Sequence, residues 1–119
     1  MNLQSEIEYF TELRLIDKAR LLNRFLHELA EEARGTYGPG ADQVYDAAHL
    51  RFANELVHRL TRVIEQLLAE DAARPADDVV LRMLLSPRLD KVAERLVHNA
   101  YRRAIQGFES YDTTVLMNV

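Results

Sequence analysis

Residues 46–68 read DAAHLRFANELVHRLTRVIEQLL, and this stretch decides the fold class. Ala53, Val57, Leu60, Ile64 and Leu67 recur at spacings of four, three, four and three. Such spacing returns apolar side chains to one face of an α-helix, whereas a strand places them at every second residue. Leu50, Leu56, Val63 and Leu68 widen the stripe beyond the narrow seam of a two-stranded coiled coil. A stripe that broad has to be covered by more than one neighbour, as in a helix bundle. Asp46 stands where a cap for this helix is needed.

The helical period continues on both sides. Ser5 with Glu8 makes a capping box beside the stripe Leu3, Ile7, Phe10 and Leu13, which predicts a short first helix ending near Leu15. Asp17 is expected to cap a second helix that runs through Arg34 and stops at Gly35, with Ala19, Leu22, Leu26, Leu29, Ala30 and Ala33 inward. Asp77 and Asp78 suit the positive start of a short fourth helix through Val79, Val80, Met83 and Leu84. Ser86-Pro87 closes it and opens a fifth, Pro87 being favoured at a first helical position. The fifth continues to about Gly107 and buries Leu89, Ala93, Leu96, Val97, Ala100, Tyr101 and Ala104. Turn-forming residues gather at Gly35-Thr36-Tyr37-Gly38-Pro39-Gly40 and, more loosely, from Ala72 to Asp77. The last residues, Thr113 to Val119, favour extended structure and are largely apolar, so this tail is expected to dock on its own core or on a second subunit. The expectation is an all-α, up-and-down bundle of four to five helices with the third and fifth as its spine. One domain is expected over residues 1–108 and a tail over residues 109–119, and the chain is expected to form a homodimer.

A chain of 119 residues suits one such core. With 48% hydrophobic and 29% charged residues it has the balance of a globular protein, not of a disordered one. The absence of cysteine excludes disulfides and thiolate chemistry. No apolar run is long enough to span a bilayer, and the acidic, polar Met1 to Tyr9 is the opposite of a secretion signal. A cytoplasmic protein is expected.

The four histidines are the first place to look for chemistry. Stepping by 100° puts His58 opposite the apolar stripe beside Arg51, Asn54 and Arg62, and His27 among Asn23, Arg24 and Glu31. Only His49 falls on an apolar side, where it reads as a packed residue with a hydrogen bond. Glu55-Leu56-Val57-His58 matches the Glu-x-x-His element of helical di-iron proteins, but that site needs the element twice plus two further glutamates. Its nearest companion, Glu94 with His98, has the wrong spacing, and both pairs point away from their apolar faces. His27-Glu28-Leu29-Ala30-Glu31 differs from the zinc-protease helix where the second histidine must stand. The glycines at 35, 38 and 40 have a helix before them and no lysine after, so they connect helices and do not cradle phosphate. No metal or other cofactor is expected.

Glu55-Leu56-Val57-His58-Arg59-Leu60 resembles the phosphoacceptor helix of histidine kinases over these six residues. The resemblance implies His58 as an exposed phosphate acceptor on a dimerising bundle. Arg62 departs from it, standing where that helix favours a small polar residue, and the chain has no room for an ATP-binding domain. The catalytic candidate is therefore the patch Asn54, Glu55, His58 and Arg62, in an enzyme or a stand-alone phosphotransfer module. The segment from Asp42 to Leu68 is similar to small bacterial helical proteins, a likeness that carries no function.

The most regular polar feature lies on the fifth helix. Arg88, Lys91, Arg95, His98 and Arg102 recur at three, four, three and four and form one ridge opposite the apolar face. Such a ridge suits an acidic protein surface or a phosphate backbone. The fourth and fifth helices have a helix-turn-helix outline, but no glycine stands in the turn and the fifth is too long for an ordinary recognition helix. A formal charge of −4 and a pI near 5.5 argue against nucleic acid. The favoured expectation is a small, non-enzymatic bacterial protein-interaction module, a regulator, adaptor or immunity-type factor. It would use Arg88, Lys91, Arg95, His98 and Arg102 toward an acidic partner.

Overall fold

The computed structural model describes residues 2–34, 47–69, 74–85 and 91–117, with side chains through Glu109. Among these residues there are five helices and no strand: α1 (Leu3–Glu12), α2 (Leu15–Ala33), α3 (Ala47–Leu68), α4 (Asp77–Leu85) and α5 (Lys91–Met117). The caps and connectors expected at Gly35–Gly40, Asp46, Ala72–Ala73 and Ser86–Pro87, and the inward Leu89, lie outside the described residues.

Local chemistry moves two helix starts from where the caps were expected. The cap of α1 is Asn2, not Ser5: its side-chain oxygen accepts the Ser5 amide at 3.3 Å. Capping from Asn2 brings Leu3 inside the helix and gives α1 almost a full extra turn. The helix ends at Glu12, earlier than Leu15, because Leu13 and Arg14 are both extended (ψ 147° and 157°), and α1 and α2 are thereby two separate helices. α2 starts at Leu15 with no side-chain cap, so Asp17 is not its cap but sits in its first turn. There the carboxylate accepts from Arg14 Nε at 2.9 Å, lies 3.5 Å from Arg20, and still offsets the positive helix end.

The spine of the fold is α2, not the pair α3 and α5. It packs extensively along both of them, while α3 and α5 touch each other far less, and α1 lies mainly on α4. The physical reason is the width of α2's apolar face. Leu21 and Phe25 are fully buried alongside the expected Leu22 and Leu29, and Leu26, Ala30 and Ala33 form its half-buried margin. On α3 the buried line is Ala53, Leu56, Leu60, Val63 and Leu67. Val57 and Ile64 are only half-buried and Leu68 is 53% exposed, so the stripe is rotated from its expected centre. On α4, Val80, Leu81, Leu84 and Leu85 face the core, whereas Val79 and Met83 point outward. Lys18 ties three helices at this end: its ammonium is 3.0 Å from the Asp77 carboxylate of α4 and 5.6 Å from the ring centre of Phe10 on α1.

α5 buries Ala93, Leu96, Val97, Ala100, Tyr101 and Ala104 as expected, and Phe108 beyond them. It does not stop near Gly107. The backbone stays helical to Met117, so the extended segment expected after Glu109 is corrected. Burial of Phe108 holds the helix past the glycine, and weak residue preferences yield to that anchoring. How the side chains of the last ten residues pack lies outside the description.

Gly107 has a packing role of its own. A Cβ built there would stand 2.9 Å from Nη1 of Arg24, so the α2 arginine crosses α5 where no side chain obstructs it. That atom is the far end of a flexible side chain, and alanine is the better helix former by about 1 kcal/mol. Gly107→Ala is therefore expected to raise stability by about 0.5 kcal/mol in a denaturant melt, with Arg24 displaced. A loss above about 1 kcal/mol would show that Arg24 is fixed there more firmly than this.

Candidate functional site

Two polar regions on α5 stand out once its inward face is assigned. Lys91, Arg95 and Arg102 are exposed on the side opposite the buried alanines and leucines. Among the described residues none of the three forms an ion pair, whereas Arg14, Lys18, Arg20, Arg34 and Arg103 each face a carboxylate. From Lys91 to Arg102 the ridge runs along roughly 16 Å of helix. His98 does not belong to its exposed crest. It is half-buried, and its Nε2 lies 2.9 Å from the Leu85 carbonyl. A carbonyl only accepts, so Nε2 carries the proton and satisfies one of the open carbonyls at the end of α4. Arg88, the first member of the expected ridge, lies outside the described residues.

The patch on α3 is placed differently. Asn54, Glu55, His58 and Arg62 are all exposed along one outer face, and they line neither of the two cavities described below. His49 is half-buried in the first turn of α3.

Where α2 meets α5, sequence reasoning missed a charged cluster. Arg103 donates through Nε to Glu28 at 2.8 Å and through Nη2 to Glu32 at 2.5 Å. The Glu32 side chain is 3% exposed, the only buried charged residue among those described. Burial works against the charged guanidinium, but the hydrogen bonds and charges of Glu28 and Glu32 outweigh it and raise the Arg103 pKa. These contacts, with Arg24 across Gly107, show that α2 and α5 run antiparallel. The signal was present: Leu96, Ala100, Arg103 and Gly107 recur at four, three and four, which puts Arg103 at the edge of the inward face.

Two cavities flank this helix pair. One, of about 430 Å³, is lined by Arg20, Asn23, Arg24, His27, Glu28 and Phe108. Arg20, Asn23, Arg24 and His27 share one face of α2, so the exposed polar face expected around His27 is the wall of a shallow hollow. The other, of about 300 Å³, lies between α1 and α5 and is lined by Glu6, Tyr101, Arg102, Ile105 and Gln106.

Tyr101 is the unusual residue of the second cavity. It is 0% exposed, and its ring meets Phe25 edge to face with centres 5.2 Å apart. Its buried hydroxyl has no hydrogen-bond partner among the described residues. A buried polar group left so costs about 1–3 kcal/mol. Burial pushes the Tyr101 phenol well up from its ordinary range, and the neighbouring Glu6 carboxylate adds to the rise without reaching the hydroxyl in bonding geometry. The hydroxyl thus stays protonated, a donor without an acceptor.

Among the described residues no three histidine or carboxylate side chains converge in a way that could hold a metal ion. Nor is any described helix long and apolar enough to cross a membrane. Comparison with protein-family models, with curated proteins and with solved structures found no match to this chain.

Proposed function

We propose that the protein is a non-enzymatic interaction module of the cytoplasm, a bacterial regulator, adaptor or immunity-type factor whose α5 ridge docks on an acidic surface of a partner protein. The observation that carries this reading is that Lys91, Arg95 and Arg102 are exposed and form no ion pair among the described residues, on a chain of net charge −4. Exposed cations on an acidic protein can meet another molecule, and complementary charge speeds and orients docking. A homodimer belongs to the same reading. Val79 and Met83, one turn apart on the outer side of α4 and 57% and 38% exposed, are the side chains suited to its contact.

Charge reversal tests the ridge. Arg95→Glu with Arg102→Glu is expected to weaken partner binding about tenfold or more while stability changes by less than about 0.5 kcal/mol, since both side chains are exposed. Binding that survives the reversal reduces the ridge to a solvated face. Light scattering on protein purified from its source cells tests the partner class. The expected result is a dimer with the ultraviolet absorbance of protein alone, and a larger species absorbing as nucleic acid would overturn it.

The exposure of His58 favours a second reading, a phosphotransfer module, because an acceptor imidazole must be reachable. It requires an acid-labile phosphate that disappears in His58→Ala. The ridge as a nucleic-acid surface would instead give binding that falls steeply with salt.

A further inference from the structure

We propose that the cavity between α1 and α5 is a binding site for a small zwitterion of the free amino-acid type, its ammonium held by Glu6 and its carboxylate by Arg102 and the Tyr101 hydroxyl. Three observations converge. The first is the Tyr101 hydroxyl, fully buried yet unpartnered among the described residues, on a residue that lines an open cavity. A buried polar atom in that state calls for a physical reason, and a bound polar molecule is one. The second is charge. Glu6 on α1 and Arg102 on α5 line the same 300 Å³ space, yet they form no ion pair with each other. Opposite charges held apart across a cavity match a ligand that carries both. The third is size and shape. Ligand pockets run from about 300 to 1,000 Å³, so this one takes a small molecule. Half-buried Ile105 gives an apolar wall for a short side chain, and the Gln106 amide can both donate and accept.

The hydroxyl is sealed beneath the edge of the cavity, and Glu6 is the group beside it. Binding therefore requires the half-buried Glu6 side chain to turn aside. The ammonium then donates to the Glu6 carboxylate, while the Arg102 guanidinium and the Tyr101 hydroxyl both donate to the ligand carboxylate. An uncharged solute satisfies only part of this set, and a ligand of one charge leaves Glu6 or Arg102 unmatched.

The test is nuclear magnetic resonance on the full chain, following the Tyr101 ring and the Gln106 side-chain amide during titration with each common free L-amino acid. At least one is expected to shift both sets of signals saturably in the micromolar to millimolar range. Its N-acetyl and carboxamide derivatives, each lacking one charge, are expected to bind at least about tenfold more weakly. Glu6→Gln and Tyr101→Phe are each expected to weaken binding by a similar factor. If Tyr101→Phe fails to fold, Glu6→Gln decides alone. The proposal fails if no amino acid moves these signals, which would leave water as the occupant, or if the derivatives bind equally well. Glu6→Gln leaves Lys91, Arg95 and Arg102 in place, so its outcome is separate from that of the ridge.

Discussion

Arg103→Met is expected to lower stability by about 3–5 kcal/mol, the range found when one member of a buried ion pair is removed. The size follows from Glu32. Its side chain is 3% exposed and bonds Arg103 at 2.5 Å, so the substitution leaves a carboxylate inside the α2–α5 contact with no counter-charge. Glu28 at 17% exposure reaches enough solvent to be less affected. A second substitution, Glu32→Met, made in the same chain should restore most of the loss, because an apolar pair of similar volume removes the stranded charge. The double-mutant cycle then shows a coupling of about 2 kcal/mol or more between the two sites. A loss below about 1 kcal/mol for Arg103→Met would mean that the cluster behaves like a surface ion pair.

The second large effect is expected at Phe25, where alanine should cost about 3–5 kcal/mol. Phe25 is 0% exposed on the helix that makes the two most extensive contacts of the fold, and its ring meets Tyr101 with an angle of 79° between the planes. Truncation removes that contact and opens a void between α2 and α5 that their backbones can fill only in part. Phe25→Leu keeps most of the volume and should cost under about 2 kcal/mol. Denaturant melts with unchanged m-values would confirm that both variants unfold from the same native state. A cost below about 2 kcal/mol for Phe25→Ala would argue that α2 is not the centre of the core.

The fold class was legible because period carries it. The series through Ala53, Leu60 and Leu67 could only be helical, all five expected helices are present, and α1, α2 and α4 begin within a few residues of their expected places. The exact starts were not legible, since Asn2 and Ser5 are both good caps and the choice depends on which turn packs. The role of α2 was hidden for a related reason. Its second inward line, Leu21 and Phe25, reads as noise beside Leu22 and Leu29 unless two neighbours are already known to cover it.

Polar sites were less legible still. The exposure of Lys91, Arg95 and Arg102 followed from simple 100° steps. His98 followed the same steps to the ridge, but a carbonyl at the end of α4 claims its imidazole, and sequence spacing says nothing about contacts between helices. Glu6 and Tyr101 stand 95 positions apart and meet only because packing on α4 brings α1 to the edge of α5.

The central claim is that an acidic protein docks on Lys91, Arg95 and Arg102. It is tested most directly by paired capture from source-cell extract, with the wild-type chain and the Arg95→Glu, Arg102→Glu variant as matched baits and bound proteins quantified by mass spectrometry. The account predicts a protein with an acidic surface that the wild type retains, that the variant retains about tenfold less or worse, and that salt releases from the wild type. The same proteins held equally by both baits would contradict it.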